Sequence, residues 1–313
     1  MAKMTLTDLK TQAVAYVAAA KQAGIFSATT NNLIGLVDKI GKIVMLDGTF
    51  TDKLPEFDGE NLPLGKTIEE YFIDLIAPSN YDATGANNDA PSYPSVEAAA
   101  YSYSLGRKMF KTTQKYDDLE RACLSEADFA NMTAKIVGRL GDSENMWRYQ
   151  EKKQLIANLI AKAGTTHTVT IAAPTDTSTG EAAIKQIKGD VETASFANEG
   201  NSLNGQLIGA APELILLVKK GVVPSWEVDT MAGAIHPDYL ATGVKIKVVD
   251  DFANADAKVW GVLIDPRGVR LHEDYRAVRN HENADGDFMN FVLHVEATGF
   301  ISKNTFVKVY KGA

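Results

Sequence analysis

Cysteine is almost missing from this sequence: among 313 residues there is one, Cys123. A single thiol cannot close an intrachain disulfide or build a multi-cysteine zinc site, and inside a helical pattern it reads as a small core residue. Long apolar runs are missing as well. No stretch reaches the roughly 18 consecutive apolar residues that a membrane-spanning helix needs. Met1 to Lys10 alternates polar and apolar residues and holds no signal-type apolar core, so synthesis in the cytoplasm and no membrane contact are expected. Nor is there a basic excess, since the net charge is -8. Proteins that grip nucleic acid usually carry the opposite balance. A dedicated DNA binder is disfavoured; a protein that surrounds DNA without gripping it is not.

Catalytic signatures are equally scarce. Gly65-Lys66-Thr67 looks like the end of a phosphate-binding loop, but that motif requires a glycine four residues before the Gly-Lys pair. Here the preceding glycine is Gly59, and the intervening Glu60-Asn61-Leu62-Pro63-Leu64 includes a proline, which lacks a backbone donor. His167, His236, His272, His281 and His294 are scattered without an H-E-x-x-H spacing. No Gly-x-Ser-x-Gly elbow and no Gly-x-Gly-x-x-Gly fingerprint occurs. Asn131-Met132-Thr133 matches a glycosylation sequon inside a predicted helix and reads as chance. Trp147, Trp226 and Trp260 stand apart from basic residues, which favours packing over base stacking. The expectation is a non-enzyme with no cofactor and no metal.

What is present is ordinary globular material. Apolar residues make up 45% and charged residues 23% of the chain, enough for a sizeable core. Ala-rich Leu6 to Lys21 reads as a short helix ended by Gly24. Prolines 55, 63, 78, 91 and 94 exclude a long helix over 51–116. Asn80 to Pro94 reads as a loop tip, with flanks that can pair as a two-stranded ribbon. Residues 51–97 carry ten acids and two bases, whereas 98–116 carry Arg107, Lys108, Lys111 and Lys115 and no acid. Opposite charges on facing strands predict that these halves pair. Such a ribbon is marginal alone in water and needs a surface to lie on, with a neighbouring subunit as the natural candidate.

A capping-box-like Ser125-Glu126-Ala127-Asp128 opens the strongest helix, expected over Glu126 to Ala163. Phe129, Met132, Ile136 and Leu140 share one predicted face, and Trp147, Leu155, Ile156, Leu159 and Ile160 extend the apolar pattern. Gly138 and Gly141 mark a bend. At ~1.5 Å per residue this helix is about 57 Å long, and without sustained heptads it reads as a spine across a flat protein. Beyond it the pattern predicts strands at Val169–Ala173, Leu214–Val218, Val244–Val249, Lys258–Ile264, Phe288–Ala297 and Thr305–Tyr310. A helix is predicted at Gly180–Ala194 and a turn at Asp265-Pro266-Arg267-Gly268. His294 and Glu296 fall on one face of a half-exposed strand. The fold class is α+β.

The order of arm, long ribbon, very long helix and α/β body resembles the capsid fold of tailed phages named after phage Hong Kong 97. Leu33 to Val44, followed by Leu62-Pro63-Leu64-Gly65-Lys66-Thr67-Ile68-Glu69-Glu70, is similar to the same region in major capsid proteins of small short-tailed phages of Gram-positive hosts. The resemblance implies an N-terminal arm and docking segment over 1–50 and an extended loop over 51–120. It implies a peripheral domain over 121–196 and 267–313, and an axial domain over 197–266. An immunoglobulin-like addition carried by some relatives is not expected. The implied function is a shell subunit of the virion, assembled in the host cytoplasm as pentamers and hexamers around double-stranded DNA, with a scaffolding protein and a portal as partners. Candidate inter-subunit contacts are Lys66, Glu69, Glu70, Arg107, Lys108 and Lys111. Three alternatives stand beside it: an encapsulin-like compartment of the same fold, a nucleotide-dependent enzyme built on Lys66, and another structural phage protein such as a tail component.

Overall fold

The computed structural model describes residues 50–63, 68–73, 81, 83–85, 96–99, 102–115, 126–209, 213–222, 244–283 and 288–313. The expected arm over 1–49, most of the loop tip, Lys66, Cys123 and Trp226 lie outside them. Ten strands and two α-helices are described. In chain order they are β1 (Glu70–Ile73), β2 (Val96–Ala99), β3 (Ser102–Lys115), α1 (Glu126–Ala163), β4 (Thr168–Thr170) and α2 (Thr177–Ser195). There follow β5 (Ile215–Lys219), β6 (Lys245–Val249), β7 (Val259–Ile264), β8 (Val269–Asn283), β9 (Phe288–Ile301) and β10 (Val307–Lys311).

Three sheets result: the pair β1-β2, a three-stranded β3-β9-β8, and a five-stranded β4-β10-β7-β5-β6. Period-2 alternation explains how the five-stranded sheet serves two cores. Ile215, Leu217, Val262, Ile264, Val307 and Val309 point to one side, where Leu155, Ile156 and Leu159 of α1 meet them. Leu216, Val218, Leu263, Phe306 and Tyr310 point to the other, where Ala183, Ile187 and Ala194 of α2 cover them. Tyr310 stacks on Trp260 with ring centroids 5.4 Å apart, and its hydroxyl donates to Asp190 Oδ2 of α2 at 2.9 Å.

The helix spans 38 residues as expected and runs unbroken through Gly138 and Gly141. Its buried face changes along its length. Val137 and Leu140 lie on Phe291, Leu293 and Val295 of β9, while the C-terminal half enters the core between the two larger sheets. Leu140 is buried as expected, but Val137 is buried beside it in place of Ile136, which is only half-buried.

Four further expectations change. First, among the described residues the return half of the ribbon pairs with the acidic half only at β1-β2. β3 hydrogen-bonds along its length to β9, with Lys111 opposite Val292, because a hydrophobic sheet on α1 outweighs weak charge pairing. Second, β8 was not anticipated, because its Arg, His, Glu and Asn residues mask the alternation. Third, β4 ends at Thr170, short of Ala173. Fourth, α2 starts at Thr177 ahead of Gly180, because Asp176 forms a reciprocal cap with Thr179, whose N–H donates to Asp176 Oδ1 at 2.8 Å. The expected turn forms as a single 3-10 turn, Pro266–Gly268, with Arg267 N donating to Asp265 Oδ1 at 2.9 Å.

Candidate subunit-contact site

Residues 50–62 form a strap over α1 and β8. Proline at 55 and the short turn Pro55–Phe57 keep the strap irregular, so its backbone groups need partners outside regular structure. They find them: Gly59 N donates to Leu271 O at 2.9 Å, Leu62 N to Glu273 O at 2.9 Å, and Arg270 Nη1 donates to the carbonyls of Glu56 and Asp58 at 2.9 Å each. Leu54 and Phe57 are fully buried beneath it.

Charge fixes the strap to the helix. Lys152 of α1 has no exposed surface; its ammonium donates to Leu54 O and Asp58 Oδ1, each at 2.8 Å, and contacts Asp52. Arg148, one turn earlier, reaches Asp58 Oδ1 at 2.7 Å and Glu273 Oε2 of β8 at 3.1 Å. Burial pushes the Asp58 carboxyl up, but Lys152 and Arg148 outweigh it and hold Asp58 below its usual value. Farther along the strap, Glu56 accepts from Lys245 at 2.6 Å and sits 2.9 Å from Lys247, both on β6. Burial opposes its ionisation, yet the two ammonium groups bring Glu56 down to about 2. Arg276 of β8 grips Glu144 of α1, with Nη2 to Oε2 at 2.8 Å and Nε within 3.2 Å of both oxygens. The strap therefore joins the spine helix, the three-stranded sheet and the edge of the five-stranded sheet.

The candidate contacts fall into two groups. Glu69 and Glu70 are engaged within the chain: Tyr71 donates to Glu69 Oε2 at 2.6 Å and Ser302 donates to Glu70 Oε1 at 2.6 Å. Arg107 is engaged too, 3.1 Å from Glu296 Oε2 and 4.5 Å above the Tyr275 ring. It follows Gly106, whose φ of +68° sits in a register shift of β3 that swings the following side chains. Lys108 and Lys111 are exposed. Lys66 lies outside the described residues. Sequence reasoning missed Arg148, Lys152, Asp52, Glu56 and Asp58. The available signal was two cations one turn apart inside an apolar helical stretch, facing a strap dense in acids.

Nothing in this arrangement assembles a nucleophile with a base. Among the described residues no group of three or more His, Cys, Asp or Glu side chains converges as metal ligands would, and no helix is long and apolar enough to cross a membrane. A shallow depression of about 430 Å³ between α1 and β3 is lined by Phe110, Arg139, Asp142, Ser143, Met146, Trp147 and Gln150, with Arg139 paired to Asp142.

Known phage capsid proteins share this fold and resemble this sequence. The capsid structure of Staphylococcus phage Andhra superposes with a TM-score of 0.71 at 12% identity, covering 88% of this chain and 87% of that one. The major capsid protein of Bacillus phage PZA is 25% identical over 279 residues, 87% of this chain and 61% of that protein. The major capsid protein of Bacillus phage B103 is 24% identical over 270 residues, 84% of this chain and 59% of that protein. The chain thus spans about three-fifths of the length of these curated relatives. A model of the Phi29-like phage major capsid proteins matches residues 5–308, which takes in the strap, α1 and every strand but the end of β10, and the chain belongs to that family.

Proposed function

We propose that the chain is a non-enzymatic shell subunit with a Hong Kong 97-type fold, whose copies assemble as pentamers and hexamers into an icosahedral shell around double-stranded DNA. The family match over residues 5–308 carries this reading. Physical features support it. The three-stranded sheet has β3 and β8 as edges; the strap covers β8 at Leu271 and Glu273, and the remaining edge can pair with a neighbour. The first residues of the extended-loop stretch, the strap, are fixed to α1 by buried ion pairs, so a pull on the loop reaches the spine helix. The net charge of -8 suits a wall along which DNA can slide.

In this reading 1–50 is the arm and 51–120 the extended loop. The peripheral region is 121–196 with 267–313 and the axial region is 197–266, with β4 and β10 of the peripheral stretches completing the axial sheet. Lys66, Glu69, Glu70, Lys108 and Lys111 would supply weak and repeated charge contacts between copies, which suit correctable assembly; Arg107 is held within its own chain by Glu296. A scaffolding protein and a portal are the expected assembly partners, and the virion is the destination. Electron microscopy of the protein made with and without its neighbouring genes tests the reading. Uniform closed particles tens of nanometres across are expected; small soluble species under both conditions would overturn it.

A further inference from the structure

Asparagine followed by glycine occurs once in the chain, at Asn204-Gly205. Glycine has no Cβ to shield its own nitrogen, so in this pair the backbone amide reaches the preceding side-chain carbonyl most readily. The pair lies in the connection between α2 and β5, and both residues are exposed. Gly205 has a φ of +73°, and a Cβ built on it would meet nothing within 4 Å. Its N–H makes only a long bond, to Ser202 O at 3.4 Å. Asn204 reaches across to the turn between β9 and β10, where its Nδ2 donates to Asn304 Oδ1 at 3.2 Å. A bond of that length between exposed amides is worth little against water, so the side chain is free to turn. The surrounding turn is firm. Leu203 N donates to Lys303 O at 2.9 Å, and Gln206 N donates to Ser202 Oγ at 2.6 Å. Asn201, which precedes Ser202, makes the contrast within the same turn. It is 1% exposed, and its Nδ2 donates to Phe196 O and Ile208 O at 2.8 Å each.

We propose that Asn204 is a site of spontaneous deamidation, with water as the co-reactant, and that this turn changes its chemistry as the protein ages. Gly205 N attacks Asn204 Cγ. The N–Cγ bond forms, the Cγ–Nδ2 bond breaks, and the Gly205 amide proton leaves with Nδ2 as ammonia. Water then opens the cyclic imide at either carbonyl. One opening gives aspartate; the other routes the main chain through Cγ and gives isoaspartate. Both products add a negative charge to the turn. The two differ in what they do to the fold. Aspartate keeps the backbone, and its carboxylate can accept from Asn304 once that amide rotates. Isoaspartate lengthens the main chain between Leu203 and Gln206, the residues bonded to Lys303 and Ser202, so the turn cannot keep both bonds. The join between this turn and the β9–β10 turn then loosens. Asn201 is spared, because a buried amide held by two carbonyls cannot swing onto the backbone.

The test ages the full folded chain for days at mildly alkaline pH and follows it by peptide mass spectrometry, with isoaspartate methyltransferase labelling to identify the second product. Residue 204 is expected to gain about one dalton and to accept the methyl label, while Asn201 stays unchanged. Asn204→Gln is expected to remove both signals. Ion exchange then separates the isoaspartate fraction. Amide hydrogen exchange at Leu203 and Gln206 is expected to be at least about tenfold faster there than in fresh protein, and unchanged in Asn204→Asp, which carries the charge without the longer chain. Conversion of residue 204 in urea-unfolded chain but not in folded chain overturns the proposal, since the turn would then shield the site. Equal conversion at Asn201 overturns it by showing that the fold does not choose the position. Wild-type exchange at Leu203 and Gln206 in the isoaspartate fraction overturns the structural consequence.

Discussion

Lys152 and Asp58 meet 2.8 Å apart, with the lysine wholly enclosed and the aspartate shared with Arg148. A charge this deep is tolerated because two carboxylates and a carbonyl replace its water. Removing the lysine alone leaves Asp52 and Asp58 facing an apolar wall. Lys152→Met is therefore expected to destabilise the fold by about 3 kcal/mol, the low end for breaking a buried pair, since Asp58 is partly exposed and keeps Arg148. Urea denaturation checks this. Adding Asp52→Asn to Lys152→Met is expected to recover part of the loss; a variant as stable as wild type would refute the anchoring role.

Gly299 of β9 has its own sharp consequence. A Cβ placed there would lie 2.6 Å from Leu155 Cδ2 of α1. The helix approaches the sheet this closely only because position 299 has no side chain. Gly299→Val is expected to cost about 1–3 kcal/mol through overpacking. Leu155→Ala, itself costly by about 2–5 kcal/mol, is expected to absorb much of the clash, so the double variant should be more stable than the sum of the two single losses predicts. Strict additivity in the denaturation cycle would contradict the contact.

The spine helix and most short strands were legible because their apolar periodicity survives to the surface of the sequence. Three things were not. β8 reads as polar because Arg276 is directed at Glu144 and Arg270 at strap carbonyls, so its inward positions carry charge. The pairing of β3 with β9 joins residues nearly 190 positions apart, as in Arg107 with Glu296, and no local pattern encodes such a partner. The strap looked like a charged loop, and its acids matter only because Arg148 and Lys152 face them in three dimensions. Of the candidate contacts, Lys108 and Lys111 emerge exposed, while Glu69, Glu70 and Arg107 have partners within the chain.

The Ile136 and Leu155 positions separate under one substitution. Leu155 is 2% exposed in the main core, and Leu155→Asp buries an unpaired carboxylate, so loss of the folded state is expected. Ile136 is only half-buried. Ile136→Asp can turn its carboxylate toward water and is expected to cost about 1 kcal/mol, the ordinary value for a single substitution. Circular dichroism melts of both variants check the ordering; equal collapse would restore Ile136 to the buried face.

Acid should loosen the join between the strap and β6. The folded-state value of Glu56 lies at about 2, below its ordinary 4.5. A depressed carboxylate contributes stability that is present above the unfolded value and lost as pH falls through the folded one. The window for Glu56 is therefore pH 4.5 down to about 2. Glu56→Gln is expected to be less stable than wild type at pH 7, with the difference closing across that window. Denaturation midpoints of the two proteins at a series of pH values measure it; a constant gap would show that Glu56 acts through packing and not charge.

Asp274 runs the opposite way. It sits at the register shift of β8 between Glu273 and Tyr275, accepts from Thr298 Oγ1 at 2.5 Å, and keeps its other oxygen buried with no partner. Burial raises its pKa, and the nearby carboxylates of Glu296 and Glu273 raise it further, against the hydrogen bond from Thr298 and the charge of His272. A raised carboxyl contributes stability below its unfolded value that disappears as pH climbs through the folded one. Wild type should therefore lose stability at this site as pH climbs above the ordinary aspartate value. Asp274→Asn keeps an acceptor for Thr298 and never ionises. Its stability relative to wild type is expected to rise as pH climbs, as read from paired melts at pH 4 and pH 7. A relative stability that falls with pH would mean that the ionised aspartate is the form the strand prefers.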